Sequence, residues 1–199
     1  MPLRLLSVLL LSALALGAPA QAADFETRAR HAVVMDFESG QTLFEKDADR
    51  PIPTASMSKL MTIYMLLERI DSGALSLDDT FPVSAKAWKK GGSKMFVEVG
   101  KQVRVEDLLR GIIVLSGNDA CAVIAESLSP DGTEAGFARL MTRRAIAMGM
   151  TNSTFMNSNG WPQAGHLMSA RDLALLKRGD QRGFVHHIAD DRTDFEFQL

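Results

Sequence analysis

Apolar and polar positions divide the chain into segments with two different periods. His31-Ala32-Val33-Val34-Met35-Asp36-Phe37 and Thr42-Leu43-Phe44-Glu45 are short runs with strand character. Glu38-Ser39-Gly40-Gln41 between them is turn chemistry, so the pair is predicted to form a hairpin. His31 shows no carboxylate partner in this pattern. Pro51 and Pro53 hold the next segment extended. From about Ser56 to Ile70 the period becomes helical. Met57, Leu60, Met61, Ile63, Tyr64, Met65, Leu66, Leu67 and Ile70 cover nearly the whole circumference, which predicts a helix buried on all sides. Asp71-Ser72-Gly73 stops it.

The pattern then weakens and returns. Leu75 to Val83 reads as a loop with a short extended piece, Ser84 to Trp88 as a helical turn, and Lys94 to Val99 as an extended run closed by Gly100. Val105 to Leu115 is predicted helical, with Glu106 and Asp107 favourably placed in its first turn. Ser116-Gly117-Asn118 breaks it, and Asp119 to Ser127 is the next helix. Thr133 to Met148 reads as an amphipathic helix with Phe137, Leu140, Met141 and Ile146 inward, ended by Gly149. Thr151 to His166 is a polar loop. Ser169-Ala170-Arg171-Asp172 is a capping box that opens a final helix, Asp172 to Leu176. Residues 177–199 show no periodicity.

Composition adds an export signal. Arg4 precedes an apolar stretch, Leu5 to Leu16, followed by Ala18-Pro19-Ala20 and Ala20-Gln21-Ala22, which are small-x-small cleavage patterns. Residues 1–22 are therefore expected to be a secretory signal peptide, with an uncleaved anchor or a buried helix as the alternative. That places the mature chain in the periplasm or on the outer face of the cytoplasmic membrane, with no transmembrane helix of its own. The single cysteine, Cys121, permits no intrachain disulfide and lies in an apolar helical run, as a buried, inert thiol does. A net charge of −2 and the lack of a basic cluster exclude a nucleic-acid footprint. His186, His187, Asp190 and Asp191 do not have the spacing of a metal site.

Two constellations carry candidate chemistry. In Ser56-x-x-Lys59, helical spacing puts a hydroxyl and an amine on one face. A lysine on a buried helix tends to lose its proton, which makes it a base for the serine. The plain alternative is two polar residues decorating a helix start. Ser116-Gly117-Asn118 presents a hydroxyl and an amide between two apolar helices. Its plain alternative is a connecting turn with Asn118 or Asp119 as N-cap. Gly91-Gly92-Ser93-Lys94 lacks the spacing of a phosphate loop.

Together the two motifs form part of a known signature, in which Ser-x-x-Lys and a Ser-x-Asn precede Lys-Thr-Gly. Longer stretches extend the similarity: Pro53 to Met61, Leu109 to Ala120, Met148 to Phe155, Asn159-Gly160-Trp161 and Ser169 to Leu173. From about Arg30 to Leu176 the chain resembles the serine D-alanyl-D-alanine carboxypeptidases, the low-molecular-mass penicillin-binding proteins of peptidase family S11. Gly117 resembles these carboxypeptidases, whereas β-lactamases more often carry Asp there.

The resemblance implies an α/β fold of the penicillin-binding-protein and β-lactamase type, with a helical cluster plus an incomplete antiparallel sheet. It implies a partial catalytic domain over residues 23–176, and a divergent tail over 177–199 that is out of frame or a lineage-specific ending. It also implies roles. Ser56 attacks the carbonyl between two D-alanines of a peptidoglycan stem peptide, Lys59 takes the hydroxyl proton, Ser116 relays a proton to the leaving D-alanine, and Asn118 holds Lys59 and the substrate amide. β-Lactams would acylate the same Ser56, and no metal or cofactor is needed. None of the eight lysines is followed by Thr-Gly or Ser-Gly, so the third motif is absent from these 199 residues. The alternatives are a catalytically dead remnant that binds stem peptide, and a class A β-lactamase-like hydrolase. With the family's further strands missing, the first strand is expected to face an unpaired apolar edge.

Overall fold

The computed structural model describes residues 26–179. The segments read as signal peptide and most of the divergent tail, including His186, His187, Asp190 and Asp191, lie outside the described residues. Strands β1 (Ala32–Met35) and β2 (Thr42–Lys46) pair antiparallel, with Val33 opposite Glu45 and an irregularity between Val34 and Met35. Gly40, at φ +76°, makes the turn between them. The predicted hairpin is present. His31, at its start, does have a carboxylate partner: Nδ1 lies 3.0 Å from Asp47 Oδ2. That contact closes across the far end of the hairpin, which no local pattern reveals.

A 3₁₀ turn, Ala55–Ser58, leads into helix α1 (Lys59–Asp71). The sequence predicts one helix from Ser56. The change to 3₁₀ geometry follows Ala55, whose φ of +47° no regular helix contains. Strand β3 (Thr80–Pro82) pairs antiparallel with β4 (Gln102–Arg104), with helix α2 (Ala85–Trp88) between them in sequence. Helices α3 (Val105–Leu115), α4 (Asn118–Leu128) and α5 (Glu134–Ala147) follow. Helix α6 spans residues 170–179, beyond the predicted end at Leu176.

The core is helical, and α4 is its centre. Ala120, Cys121, Ala122, Val123, Ile124 and Ala125 are all fully buried, and α1, α2, α3 and α5 pack around them. Small side chains on α4 let four helices approach one axis closely. Phe137, Met61, Leu66, Leu108 and Met141 fill the space between, each completely buried. Burying a phenylalanine of this kind contributes about 1.5–3 kcal/mol. Ile146, predicted inward, is 57% exposed. Ala145 takes the core position beside it, completely buried. Lys94 to Val99, predicted extended, pairs with no strand. Its amides are bound by a carboxylate instead, as described below.

Among the described residues the sheet is two separate two-stranded ribbons. Val34, Phe37 and Leu43 of the first ribbon and its turn are exposed, as expected of an apolar edge without a covering strand. That ribbon is fixed from α6 by two arginines. Arg171 reaches Asp49, Glu45 and Thr42, and Arg178 donates to the carbonyls of Phe37 and Glu38. No helix among the described residues is long and apolar enough to cross a membrane.

Candidate active site

Backbone geometry presents Ser56. Ile52 and Met168 exchange backbone hydrogen bonds of 2.9 and 3.0 Å, which tie the Pro51–Pro53 segment to the start of α6. The chain then turns sharply at Ala55, and Ser56 stands exposed on the 3₁₀ turn. Below it a buried polar chain locks the turn. His166 Nδ1 accepts the Met156 amide at 3.1 Å, so its proton sits on Nε2 and is donated to Ser58 Oγ at 2.8 Å. Ser58 Oγ in turn lies 3.0 Å from Thr54 Oγ1. Burial holds the His166 ring below the usual imidazole range, in its neutral form.

Lys59 is only 4% exposed and donates from Nζ to Ser56 Oγ at 2.8 Å. Burial lowers its pKa. The same burial pushes Cys121 up to about 12, so it is a neutral spacer beneath the lysine. Ser56 and Lys59 are thus joined directly.

Ser116 and Asn118 come from the α3–α4 break. Ser116 caps α3 in a left-handed conformation, φ +54°, half-buried, and its hydroxyl has no hydrogen-bonded partner among the described residues. A Cβ on Gly117 would lie 3.2 Å from both Asp119 Oδ1 and Gly111 O, so this position is tight for any larger residue. Asn118 donates its side-chain amide to Gly91 O at 2.8 Å and its backbone amide to Ser93 O at 2.8 Å. That bond engages the Nδ2 donor of Asn118; among the described residues no hydrogen bond joins Asn118 to Lys59.

Two loops complete the site. The first is residues 90–97. Asp119, fully buried, accepts the amides of Met95, Phe96 and Val97 at 3.0, 2.9 and 3.2 Å, and that of Ala120 at 3.0 Å. This carboxylate holds Phe96 at φ +64° with its ring 79% exposed. The second is residues 156–161, polar yet largely buried. Asn157 Oδ1 gathers the amides of Asn159, Gly160 and Trp161. Asn159 Oδ1 also accepts the Trp161 amide at 2.9 Å, while its buried Nδ2 has no acceptor among the described residues. A Cβ on Gly160 would stand 1.8 Å from Ala55 O, so this loop presses on the nucleophile turn. One on Gly92 would meet Asn118 Nδ2 at 2.7 Å and the Trp161 ring at 3.0 Å. A continuous line of contacts thus runs from Ser56 through Gly160, Trp161 and Gly92 to Asn118. The available signal was length: sixteen residues without a predicted element, rich in Asn, Ser and Gly, is a loop with a purpose more often than a linker.

A helical core carrying an exposed serine hydrogen-bonded to a buried lysine, with a Ser-x-Asn break on the neighbouring helices, defines the serine penicillin-binding-protein class of fold. The chain belongs to the D-alanyl-D-alanine carboxypeptidase family, peptidase family S11, whose model matches residues 18–193. It is 35% identical over 150 residues to D-alanyl-D-alanine carboxypeptidase DacF of Bacillus subtilis, covering 75% of this chain and 38% of that protein. The crystal structure of D-alanyl-D-alanine carboxypeptidase DacD from Francisella tularensis superposes with a TM-score of 0.80 at 36% identity, covering 90% of this chain and 42% of that one. Penicillin-binding protein D2 of Listeria monocytogenes, solved in an ampicillin-bound form, superposes with a TM-score of 0.66 at 30% identity, covering 77% of this chain and 62% of that one. The chain spans about two fifths of the length of the curated relatives it matches.

Proposed function

We propose that this chain carries the acylation centre of a serine D-alanyl-D-alanine carboxypeptidase that trims peptidoglycan stem peptides outside the cytoplasmic membrane. The observation that carries the reading is the 2.8 Å hydrogen bond between Lys59 Nζ and Ser56 Oγ, with the lysine buried and its pKa lowered. Neutral Lys59 accepts the Ser56 proton as Oγ attacks the carbonyl carbon between the two D-alanines. The tetrahedral intermediate collapses by breaking the C–N bond. Ser116 relays the proton held by Lys59 to the departing amine, and D-alanine leaves. Water then cleaves the Ser56 ester, returning the hydroxyl and releasing the shortened peptide. Asn118, fixed on the 90–93 loop, holds the peptide amide. A β-lactam has the same acyl carbon in a strained ring and would acylate Ser56, in keeping with the ampicillin-bound relative.

The apolar N-terminal run with its small-x-small sites supports export, and residues 1–22 as the signal that directs it. The second reading is a chain that binds stem peptide without turnover. Incubation with a fluorescent penicillin separates the two. Covalent label that disappears in Ser56→Ala supports acylation, and folded protein that takes no label overturns it. Label that is lost within seconds by hydrolysis indicates β-lactamase activity instead.

A further inference from the structure

We infer that Glu134, which lies in neither recognised motif, is a positioning residue for the Ser56 site: a buried strut that fixes the 90–93 and 157–161 loops against each other. The inference rests on Ser56 being the acyl acceptor proposed above. Glu134 stands in the first turn of α5 and is 6% exposed. One carboxylate oxygen, Oε2, binds Lys90 Nζ at 2.5 Å. The other, Oε1, accepts from Ser158 Oγ at 2.7 Å and from its amide at 3.3 Å. Thr62, one turn beyond Lys59 on α1, donates to Ser158 O at 2.6 Å, so every polar atom of Ser158 is bound.

Each arm of the strut ends beside the site. Lys90 is followed by Gly91, whose carbonyl takes the Asn118 side-chain amide, and by Ser93, whose carbonyl takes its backbone amide. Ser158 is followed by Asn159 and Gly160, and Gly160 abuts Ala55 O and Ser56 N. The loops meet where the Trp161 ring lies over Gly91 and Gly92. A single side chain therefore sets the spacing between the wall that holds Asn118 and the wall that backs Ser56. A helix-anchored carboxylate is well suited to this when, as here, it is buried and both oxygens are bound. Placement errors of about 1 Å at a reacting group can cost roughly 10²-fold in rate, so such a strut acts on the chemistry without touching substrate.

The test uses the whole chain in a Trp88→Phe background, which leaves Trp161 as the only tryptophan. Three readouts are taken: acrylamide quenching of Trp161, the second-order rate of labelling by a fluorescent penicillin, and thermal stability. Glu134→Gln keeps an acceptor for Ser158 and loses the charge that holds Lys90. It is expected to raise Trp161 quenching about twofold and slow labelling roughly tenfold or more. The double variant Glu134→Gln/Lys90→Leu keeps that acceptor and removes the ammonium that Glu134→Gln leaves unpaired, a change that favours recovered stability. It should recover the melting temperature and not the labelling rate. Recovery of both would mean that Glu134 acts on stability alone, which overturns the inference. So would unchanged Trp161 quenching in Glu134→Gln. If the parent takes no label, the acylation reading fails, and the strut stands or falls on the Trp161 readout.

Discussion

Gly160→Ala probes the join between the 156–161 loop and the nucleophile turn. An added Cβ would stand 1.8 Å from Ala55 O, 2.5 Å from Ala55 C and 3.2 Å from Ser56 N. Ordinary contact begins at 3.4 Å, so the shortfall against the carbonyl oxygen is about 1.6 Å. No flexible side chain is available to yield, because both partners are backbone. Gly160 also sits at φ +78°, where an alanine costs about 1–2 kcal/mol in backbone strain. The turn must therefore shift, and it shifts at the residue before Ser56. A displacement near 1 Å predicts a fall in acylation of about 10²-fold. Overpacking adds roughly 1–3 kcal/mol of destabilisation to the strain.

Gly149→Ala is the matched reference. Gly149 has φ +85° and nothing within 4 Å of a built Cβ, so it isolates the strain from the clash. It should lose a few degrees in melting temperature, at about 2–4 °C per kcal/mol, and label with fluorescent penicillin at the parental rate. Gly160→Ala should lose more stability and most of its labelling. Equal labelling by the two variants would refute the claim that loop 156–161 buttresses the nucleophile.

Three further outcomes follow from individual groups. Burial depresses the Lys59 pKa, so the labelling rate should rise with pH and level off below the ordinary lysine value, while Lys59→Arg, a fixed cation, should not label; a rate independent of pH would remove the lysine as base. Asp119→Asn turns one amide-accepting oxygen into an NH₂ that faces N–H donors, which should cost about 3 kcal/mol in urea unfolding; a loss below about 1 kcal/mol would show that the 95–97 loop does not depend on it. Burial keeps His166 neutral in the folded state, whereas the unfolded chain takes up its proton near ~6.5. Its stabilisation is complete above that pH and is lost as pH falls through the depressed folded pKa, so His166→Gln should flatten melting temperature against pH over that interval, and an unchanged slope would assign it to other groups.

The sequence disclosed what depends on local spacing. Ser56 and Lys59 are three apart at a helix entry, and helix geometry alone brings them together. The hairpin and the cores of α1, α3, α4 and α5 were visible for the same reason, since each repeats its apolar residues at its own period. What was hidden depends on contacts across long separations. Asp119 reaches back to residues 95–97, and Glu134 joins Lys90 to Ser158. No periodicity encodes either. Both are acids in the first turn of a helix, where favourable interaction with the helix dipole already accounts for an acid in sequence.

The same distinction accounts for the misreadings. Ile146 is five residues from Met141 and falls off the apolar face, whereas Ala145, four from Met141 and eight from Phe137, keeps the helical period and packs in the core. Lys94 to Val99 has the composition of a strand, yet its amides are taken by a carboxylate before any strand can claim them. The β1–β2 ribbon shows the converse. Two strands alone are marginal in water, and this pair leaves Val34, Phe37 and Leu43 exposed. Its attachment is polar: Arg171 and Arg178 sit seven residues apart, two turns of one helix, and so project from the same side of α6. They grip opposite ends of the ribbon, through the side chains of Glu45 and Asp49 and through the turn carbonyls of Phe37 and Glu38. The ribbon's register on the helical core is thus set by two guanidinium groups, which supply direction that its exposed apolar residues cannot.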